Sequence, residues 1–271
     1  MRKVIQFFLI AIIIQVACSF FISGIWKMVS GSYEQTGEML ITISAVGSLV
    51  TIIVFLSLRM MPLTKCFLYH RPCSVSLWTL ALAFGLLIPS MLLNDIIPEA
   101  WRKDYLSDVF NMILSNPWGY LQIGLLAPVA EEIVFRGAIQ SAATEVFCKR
   151  ENRYGHWKAI FLSAMLFAAA HGNPSQFFHA FLTGVLMGWI YWRGGSIIPC
   201  IIIHWVNNST AFLLYYIMPE TYDMTVAELF GQSHTLLTVV TAFSTLLFLY
   251  ALNSLRKVWQ ETNNETPDKE K

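Results

Sequence analysis

Residues 118–146 read WGYLQIGLLAPVAEEIVFRGAIQSAATEV. The stretch exceeds the ~20 residues that a helix needs to cross the ~30 Å hydrocarbon core of a bilayer. Its centre nevertheless carries Glu131, Glu132 and Arg136. Insertion scales set the cost of one Asp, Lys or Arg at such a position at roughly 2.5–3.5 kcal/mol, so ionisable residues inside a span are by default a functional hypothesis. The stretch therefore predicts a transmembrane helix with a functional site at its middle.

Apolar runs of similar kind fill the rest of the chain. The 271 residues are 56% hydrophobic and only 13% charged, against about 25% charged residues in a soluble domain. The predicted spans lie near residues 4–26, 39–58, 75–93, 118–146, 157–171, 177–192, 197–218 and 236–252. The first run is too long for a signal-peptide core, so we predict that it is retained. We predict an all-α polytopic transmembrane bundle of about eight spans, forming one domain over residues 1–271, with a polar, frayed tail at 256–271.

The basic residues alternate between the two sides of these spans. Of 18 Lys and Arg, Arg136 lies within a span and only Lys27, Arg102 and Lys103 lie opposite the termini, which leaves fourteen on the side of the termini. Because basic loops stay in the cytoplasm, this bias predicts that both termini are cytoplasmic. The net charge of +1 and the lack of a basic stripe argue against a nucleic-acid partner.

The three central charges separate by helical geometry. Glu132 and Arg136 are four residues apart, the spacing of a same-face ion pair, whereas Glu131 lies about 100° around the helix and keeps no such partner. Pro128 removes one backbone donor just before them and is expected to kink or open the helix. A π-bulge after it would exchange the two glutamates, so that Glu131 would meet Arg136 instead.

Two further spans carry polar groups. His171 falls at the turn His171-Gly-Asn-Pro-Ser175, which reads as a helix stop followed by a cap and a first-turn proline, and which we expect within the membrane because the preceding span is short. His204 and Asn208 are four apart and share one helix face. We interpret His179 as a structural core histidine.

A carboxylate, two imidazoles and an amide form a set suited to water-driven amide hydrolysis. The carboxylate or a histidine deprotonates the water, and donors stabilise the oxyanion. Neither an H-E-x-x-H zinc helix nor a G-x-S-x-G elbow occurs in the chain. The pattern therefore favours an intramembrane peptidase that belongs to neither of those classes.

Three motifs in order resemble a known family. Glu131-Glu-Ile-Val-Phe-Arg136, Phe167-Ala-Ala-Ala-His171 and His204-Trp-Val-Asn-Asn208 match E-E-x-x-x-R, F-x-x-x-H and H-x-x-x-N of the CAAX-protease and bacteriocin-processing (CPBP or Abi) intramembrane peptidases. The resemblance covers residues 118–212. The short, cysteine-poor chain looks like the bacterial members, which implies a multi-pass protein of the bacterial inner membrane.

The resemblance implies a role for each motif residue. Glu131 with His171 would activate the water, His204 and Asn208 would stabilise the oxyanion, and Glu132 with Arg136 would hold the site together. Catalysis would be of glutamate or metallo type. The metal-free version with Glu131 as base is favoured, and the alternative is a Zn²⁺ bound by Glu131, His171 and His204. The partners would be the lipid bilayer and a membrane-associated, C-terminal or leader peptide substrate.

Two other functions remain open at this stage. A proton-coupled transporter would also place Glu and His within spans, but no inverted repeat is visible. A non-catalytic bacteriocin-immunity or scaffold protein would keep the fold without hydrolysis. Two structural predictions complete the set: Gly184 and Gly188 form an internal helix contact, and all five cysteines are free thiols. The sequence leaves the oligomeric state open.

Overall fold

The computed structural model describes residues 1–32, 34–62, 73–101, 103–148, 154–221 and 224–265. Within these ranges the regular secondary structure is helical throughout, which confirms the all-α prediction. The long helices are α1 (Arg2–Ser30), α2 (Gly37–Ser57), α3 (Ser74–Asp95), α5 (121–147), α6 (Gly155–Ala170), α7 (Pro174–Gly194), α8 (Ile198–Ile217) and α10 (His234–Glu265). The short helices are α4 (Ser107–Leu114) and α9 (Val226–Leu229), with 3₁₀ turns at Glu99–Trp101 and Pro219–Thr221.

These eight long helices coincide with the eight predicted spans. Five of them, α1, α2, α3, α8 and α10, are long and apolar enough to cross a membrane by length and composition, and α6 is a shorter apolar helix. Large apolar side chains such as Phe20 (78% exposed) and Phe243 (68% exposed) point outward. A soluble protein rarely exposes large contiguous apolar patches, but a bilayer solvates such side chains. The count of eight spans and the cytoplasmic termini stay predictions.

α5 combines two kinds of helix. It runs as a π-helix over Leu121–Leu126, an α-helix over Ala127–Glu132, a π-helix over Ile133–Gln140 and an α-helix over Ser141–Phe147. π-helical turns are rare and occur frequently at functional sites. The two adjacent glutamates end the α-helical piece between the π segments. The irregular part of α5 is therefore the part that carries the first motif.

α5 lies at the centre of the bundle. It contacts α1, α2, α6, α7 and α8, while α3 packs against α10 and α8 on one side of the molecule. The Gly184–Gly188 prediction is confirmed, because these glycines of α7 face Ala164 of α6 and Gln140 of α5. Their carbonyls accept hydrogen bonds from Arg136 (3.2 Å) and Gln140 (2.7 Å). Small residues thus let α7 approach α5 closely.

The turn between α6 and α7 has the predicted form. Gly172 adopts a left-handed backbone (φ +62°), Asn173 is the N-cap of α7 and Pro174 is its first residue. The buried Asn173 side chain does not cap the helix. It donates to Asp104 (2.8 Å) and accepts from the backbone N–H of Tyr105 (3.3 Å), so the turn is tied to the segment before α4.

Two predictions about the rest of the chain have mixed outcomes. The expected frayed tail is wrong for its first part, because α10 extends through Glu265 and Trp259 packs against Trp189 with ring centroids 5.9 Å apart. Residues 266–271 lie outside the described part of the chain. Cys18, Cys73, Cys148 and Cys200 are free thiols as predicted, and Cys66 lies outside the described residues.

Candidate active site

The predicted ion pair forms in the core of the bundle. Arg136 Nη1 donates to Glu132 Oε1 at 2.7 Å, and both side chains are almost fully buried. The guanidinium also lies over the ring of Phe167, 4.5 Å from its centroid. A π-helix does begin directly after Glu132, yet Glu132 remains the partner of Arg136. The exchange of glutamates that a π-bulge could have produced does not occur.

The imidazole of His204 lies between the two adjacent glutamates. Its Nδ1 is 3.0 Å from Glu132 Oε1, and its Nε2 is 3.9 Å from Glu131 Oε2. An ionised carboxylate only accepts hydrogen bonds, so Nδ1 carries the proton in this contact. Glu131 Oε2 is buried and receives no hydrogen bond from any described residue. Glu132 Oε2 is likewise buried without such a bond, but Glu132 Oε1 accepts from both Arg136 and His204 and the side chain is fully buried, whereas Glu131 borders a cavity.

His171 ends α6 with one ring nitrogen engaged. Nδ1 lies 2.8 Å from the carbonyl oxygen of Phe167, and because a carbonyl only accepts, Nδ1 is the donor. Neutral His171 therefore presents Nε2 as an acceptor. The Phe167 ring makes edge-to-face contacts with His171 (4.9 Å between centroids) and with His204 (5.7 Å). The phenylalanine of the second motif thus orients both imidazoles.

Asn208 meets a backbone carbonyl that Pro128 leaves without a donor. In the first π segment Ala127 N–H bonds to Gln122 O, so the next carbonyl, Ile123 O, would accept from residue 128. Proline has no N–H to give. Asn208 Nδ2 fills the gap at 3.0 Å. Asn208, which was predicted to be an oxyanion donor, therefore uses one of its two amide N–H groups to bind the helix that carries Glu131.

Two cavities meet at His171. One, of about 240 Å³, is lined by Glu131 and His171 together with residues of α1 and α2. The other, of about 50 Å³, is lined by His171, His204 and Asn208 together with residues of α3 and α7. The six predicted site residues are thus brought to one place: four line these cavities, and Glu132 and Arg136 support His204 from the core.

The sequence analysis missed two residues of the smaller cavity. His179 was interpreted as a core histidine, but it lines this cavity and its Nε2 lies 3.1 Å from Asn207 Oδ1. Asn207 in turn donates to Asn208 Oδ1 at 3.3 Å. The sequence did contain a signal for Asn207, because this residue stands three positions after His204 and so borders the same helix face.

The side chains as arranged do not form a metal site. Among the described residues there is no group of three or more His, Cys, Asp or Glu side chains that could hold a metal ion. The zinc set considered from the sequence, Glu131, His171 and His204, is therefore not preassembled, since zinc sites need ligand atoms about 2.0–2.2 Å from the ion.

Comparison with known proteins identifies a matching family model. Residues 113–210 match the family model "Type II CAAX prenyl endopeptidase Rce1-like". No curated protein and no solved structure matches. This segment of the chain holds all three motifs, and its match to the Rce1-like family model agrees with the resemblance predicted from the motifs. The family implies a protease, hence a hydrolase, and with the apolar helices it defines a multi-pass membrane protein.

Proposed function

We propose that this protein is an intramembrane endopeptidase of glutamate type, in which Glu131 is the general base. The observation that carries the proposal is the placement of one imidazole, His204, between Glu132 at 3.0 Å and Glu131 at 3.9 Å. Glu132 is occupied by Arg136 and His204 at hydrogen-bond distances. Glu131 is a third exposed, shares a cavity with His171 and has an oxygen without a hydrogen bond from the described residues.

The first chemical step is attack by water on the peptide carbonyl carbon. Glu131 takes one proton of the water as the new C–O bond forms, and the carbonyl π electrons move to oxygen. His171 Nε2, an acceptor in the neutral ring, orients the same water. The second N–H of Asn208 and the Nε2–H of His204 donate to the oxyanion. Such preorganised donors act strongly in a site of low dielectric constant.

The role of His204 as an oxyanion donor depends on which of its ring nitrogens carry a proton. Because Nδ1 already carries a proton toward Glu132, Nε2 donates only when the ring is an imidazolium. The site then holds two positive charges, on Arg136 and His204, and two negative charges, on Glu131 and Glu132. This balance suits a buried location, where unpaired charge is costly.

The second step breaks the C–N bond. The oxyanion electrons re-form the C=O, the leaving nitrogen takes the proton held by Glu131, and the products are a carboxylic acid and an amine. The net reaction consumes one water and returns Glu131 to its carboxylate form. No oxidant, reductant or cofactor is needed.

The substrate that we propose is a membrane-associated peptide cleaved near its C-terminus or at a leader. The printed family description names CAAX prenyl endopeptidases, so a prenylated C-terminal peptide is one member of this class. A leader peptide processed in a bacterial inner membrane is the other, in keeping with the short, cysteine-poor chain. Both bring an apolar anchor that partitions into the bilayer beside the site.

Comparative peptidomics tests the function even while the substrate is unidentified. Membranes holding the wild-type protein are compared with membranes holding Glu131→Gln, and Glu145→Gln serves as the matched control, since Glu145 is an exposed glutamate of the same helix paired with Lys3 at 3.6 Å. We expect peptides that appear with wild type and Glu145→Gln and are absent with Glu131→Gln. Identical peptide sets in all three membranes, with equal protein levels, would favour the non-catalytic scaffold instead.

A further inference from the structure

Four uncharged polar side chains form one wall of the 240 Å³ cavity beside Glu131. They are Gln15 of α1, Ser48 and Thr51 of α2, and Gln122 of α5. Gln122 Nε2 donates to Ser48 Oγ at 3.2 Å, and Gln15 Nε2 lies 3.5 Å from Thr51 Oγ1. Ser48, Thr51 and Gln122 are buried. Three of the four lie outside the segment that matches the family model.

The cavity contains two buried oxygen atoms that lack a hydrogen-bond donor among the described residues. Gln122 Oε1 and Glu131 Oε2 are both buried, and neither receives a hydrogen bond from the described residues. Both atoms are acceptors, so they require a donor. Buried polar groups that lack a protein partner are generally satisfied by ordered water. A water molecule has two O–H donors and is small enough to reach both acceptors within this cavity.

The volume and the remaining lining fit the same occupant. Water takes about 30 Å³ per molecule in the liquid, so a cavity of about 240 Å³ has room for several molecules. The opposite wall is apolar and includes Phe8, Val134 and Phe135. Gly47 on α2 lies against the Gln15 amide, and a Cβ there would collide with Gln15 Oε1. The close approach of α1 and α2 that seats Gln15 therefore depends on this glycine.

We propose that Gln15, Ser48, Thr51 and Gln122 form a bound-water site that holds the hydrolytic water next to Glu131 inside the membrane. The role in catalysis rests on the proposed peptidase function. Water then reaches Glu131 from the α1–α2 side, while the peptide carbonyl is presented from the side of His204 and Asn208. These residues position water and do not touch the substrate. The competing occupant of the cavity is the main chain of a bound peptide.

Hydroxyl-radical footprinting by X-ray radiolysis tests the site with water itself as the probe and without a substrate. Radicals formed from bound water oxidise the side chains beside it. Phe135 lines the cavity and is 5% exposed, whereas Phe55 is fully buried and does not line it. We expect Phe135 of the wild-type protein in detergent to be oxidised several-fold faster than Phe55. Equal slow rates at the two positions would overturn the proposal.

Two threonines give a matched pair of variants. Thr51 and Thr79 are both buried, and each donates its hydroxyl to the carbonyl four residues before it, at 2.7 and 2.6 Å. Only Thr51 lines the cavity. We expect Thr51→Val and Gln122→Leu to slow Phe135 oxidation several-fold, with Thr79→Val unchanged. Phe135 oxidation that is the same in all three variants would overturn the site.

Turnover separates water storage from peptide binding. On the peptide found by the peptidomic comparison, Thr51→Val should lower kcat about tenfold, the size of one lost hydrogen bond to the reacting water, and leave KM unchanged. A raised KM with unchanged kcat would assign the wall to the peptide and overturn the proposal. If Glu131→Gln stays fully active, Glu131 is not the base, and if no cleaved peptide is found the peptidase function fails; in both cases the footprinting result still decides whether the water site exists.

Discussion

His204 binds through Nδ1 to Glu132 Oε1, the same oxygen that accepts the hydrogen bond from Arg136. One carboxylate oxygen thus joins α8 to α5, and the ring of Phe167 on α6 lies against both Arg136 and His204. The three sequence motifs meet in a single contact network. Its consequence is that Glu132 orients an imidazole as well as neutralising a cation, which leaves Glu131 as the carboxylate available for proton transfer.

The two adjacent glutamates should respond differently to substitution. Glu132→Ala leaves Arg136 as an uncompensated buried charge, and breaking such a pair typically costs about 3–5 kcal/mol. We expect lower yield or Tm together with lost activity for Glu132→Ala and Arg136→Ala. Glu131 Oε2 accepts no hydrogen bond from the described residues, so Glu131→Gln should fold normally while cleavage falls by orders of magnitude.

Purified variants in detergent give both readouts for this prediction. Tm is measured beside cleavage of an accepted peptide, and Glu145→Gln controls for loss of a glutamate at the helix surface. Near-normal turnover by Glu131→Gln would end the case for this residue as the base. A Tm of Glu132→Ala equal to that of wild type would show that the buried pair contributes no stability.

Asn208 and Pro128 should be coupled through Ile123 O. Asn208→Leu leaves that part-buried carbonyl without a donor, at a cost of about 1 kcal/mol, the low end of the range for an unsatisfied group. Pro128→Ala restores a backbone N–H at the position that the π-helical hydrogen-bond pattern requires. In the Pro128→Ala background, the loss of unfolding free energy caused by Asn208→Leu should therefore be smaller by about 1 kcal/mol. Unfolding free energies of the four proteins in a double-mutant cycle measure the coupling.

The neighbouring Asn207 provides the control for this cycle. Asn207 contacts His179 and Asn208, whereas the hydrogen bond to Ile123 O comes from Asn208. The effects of Asn207→Leu and Pro128→Ala on the unfolding free energy should therefore be additive. Full additivity of Asn208→Leu with Pro128→Ala would contradict the assignment of Asn208 as the missing helix donor.

Chelation should leave hydrolysis intact. The described residues contain no group of three ligands that could hold a metal, and Glu131 as base needs none. We expect purified protein to retain cleavage after exhaustive treatment with a strong chelator. Activity that is lost and returns only with added Zn²⁺ would replace the glutamate mechanism with the zinc alternative, while the peptidase function would stand.

Thiol labelling tests the predicted orientation. The charge bias places the loops at 59–73 and 148–158 in the cytoplasm, and Cys73 and Cys148 are exposed. An impermeant maleimide added to intact cells should miss both cysteines and should label them after permeabilisation. Efficient labelling in intact cells would invert the topology. A variant with these two cysteines replaced by serine identifies any signal from other thiols.

Part of the site could be predicted from the spacing of residues along the sequence alone. The pairing of Glu132 with Arg136 follows from four-residue helical separation, and it is kept although a π-helical segment begins at Ile133. The stop and cap at Gly172 to Pro174 follow from the backbone preferences of those residues. The second partner of Glu132, the place of His179 and the role of Asn208 at Ile123 O were not predicted, since each joins two different helices.

The sequence by itself determined that the chain forms apolar helices of membrane-spanning length, which of its charges pair along one helix, and which family model residues 113–210 match. Only the tertiary structure decided that His204 lies between Glu131 and Glu132, and that α1 and α2 add polar groups to the cavity. The reason is physical. Lipid tails are as apolar as leucine, so hydrophobic patterning leaves the rotation of each helix open, and close packing with hydrogen bonds between helices sets it.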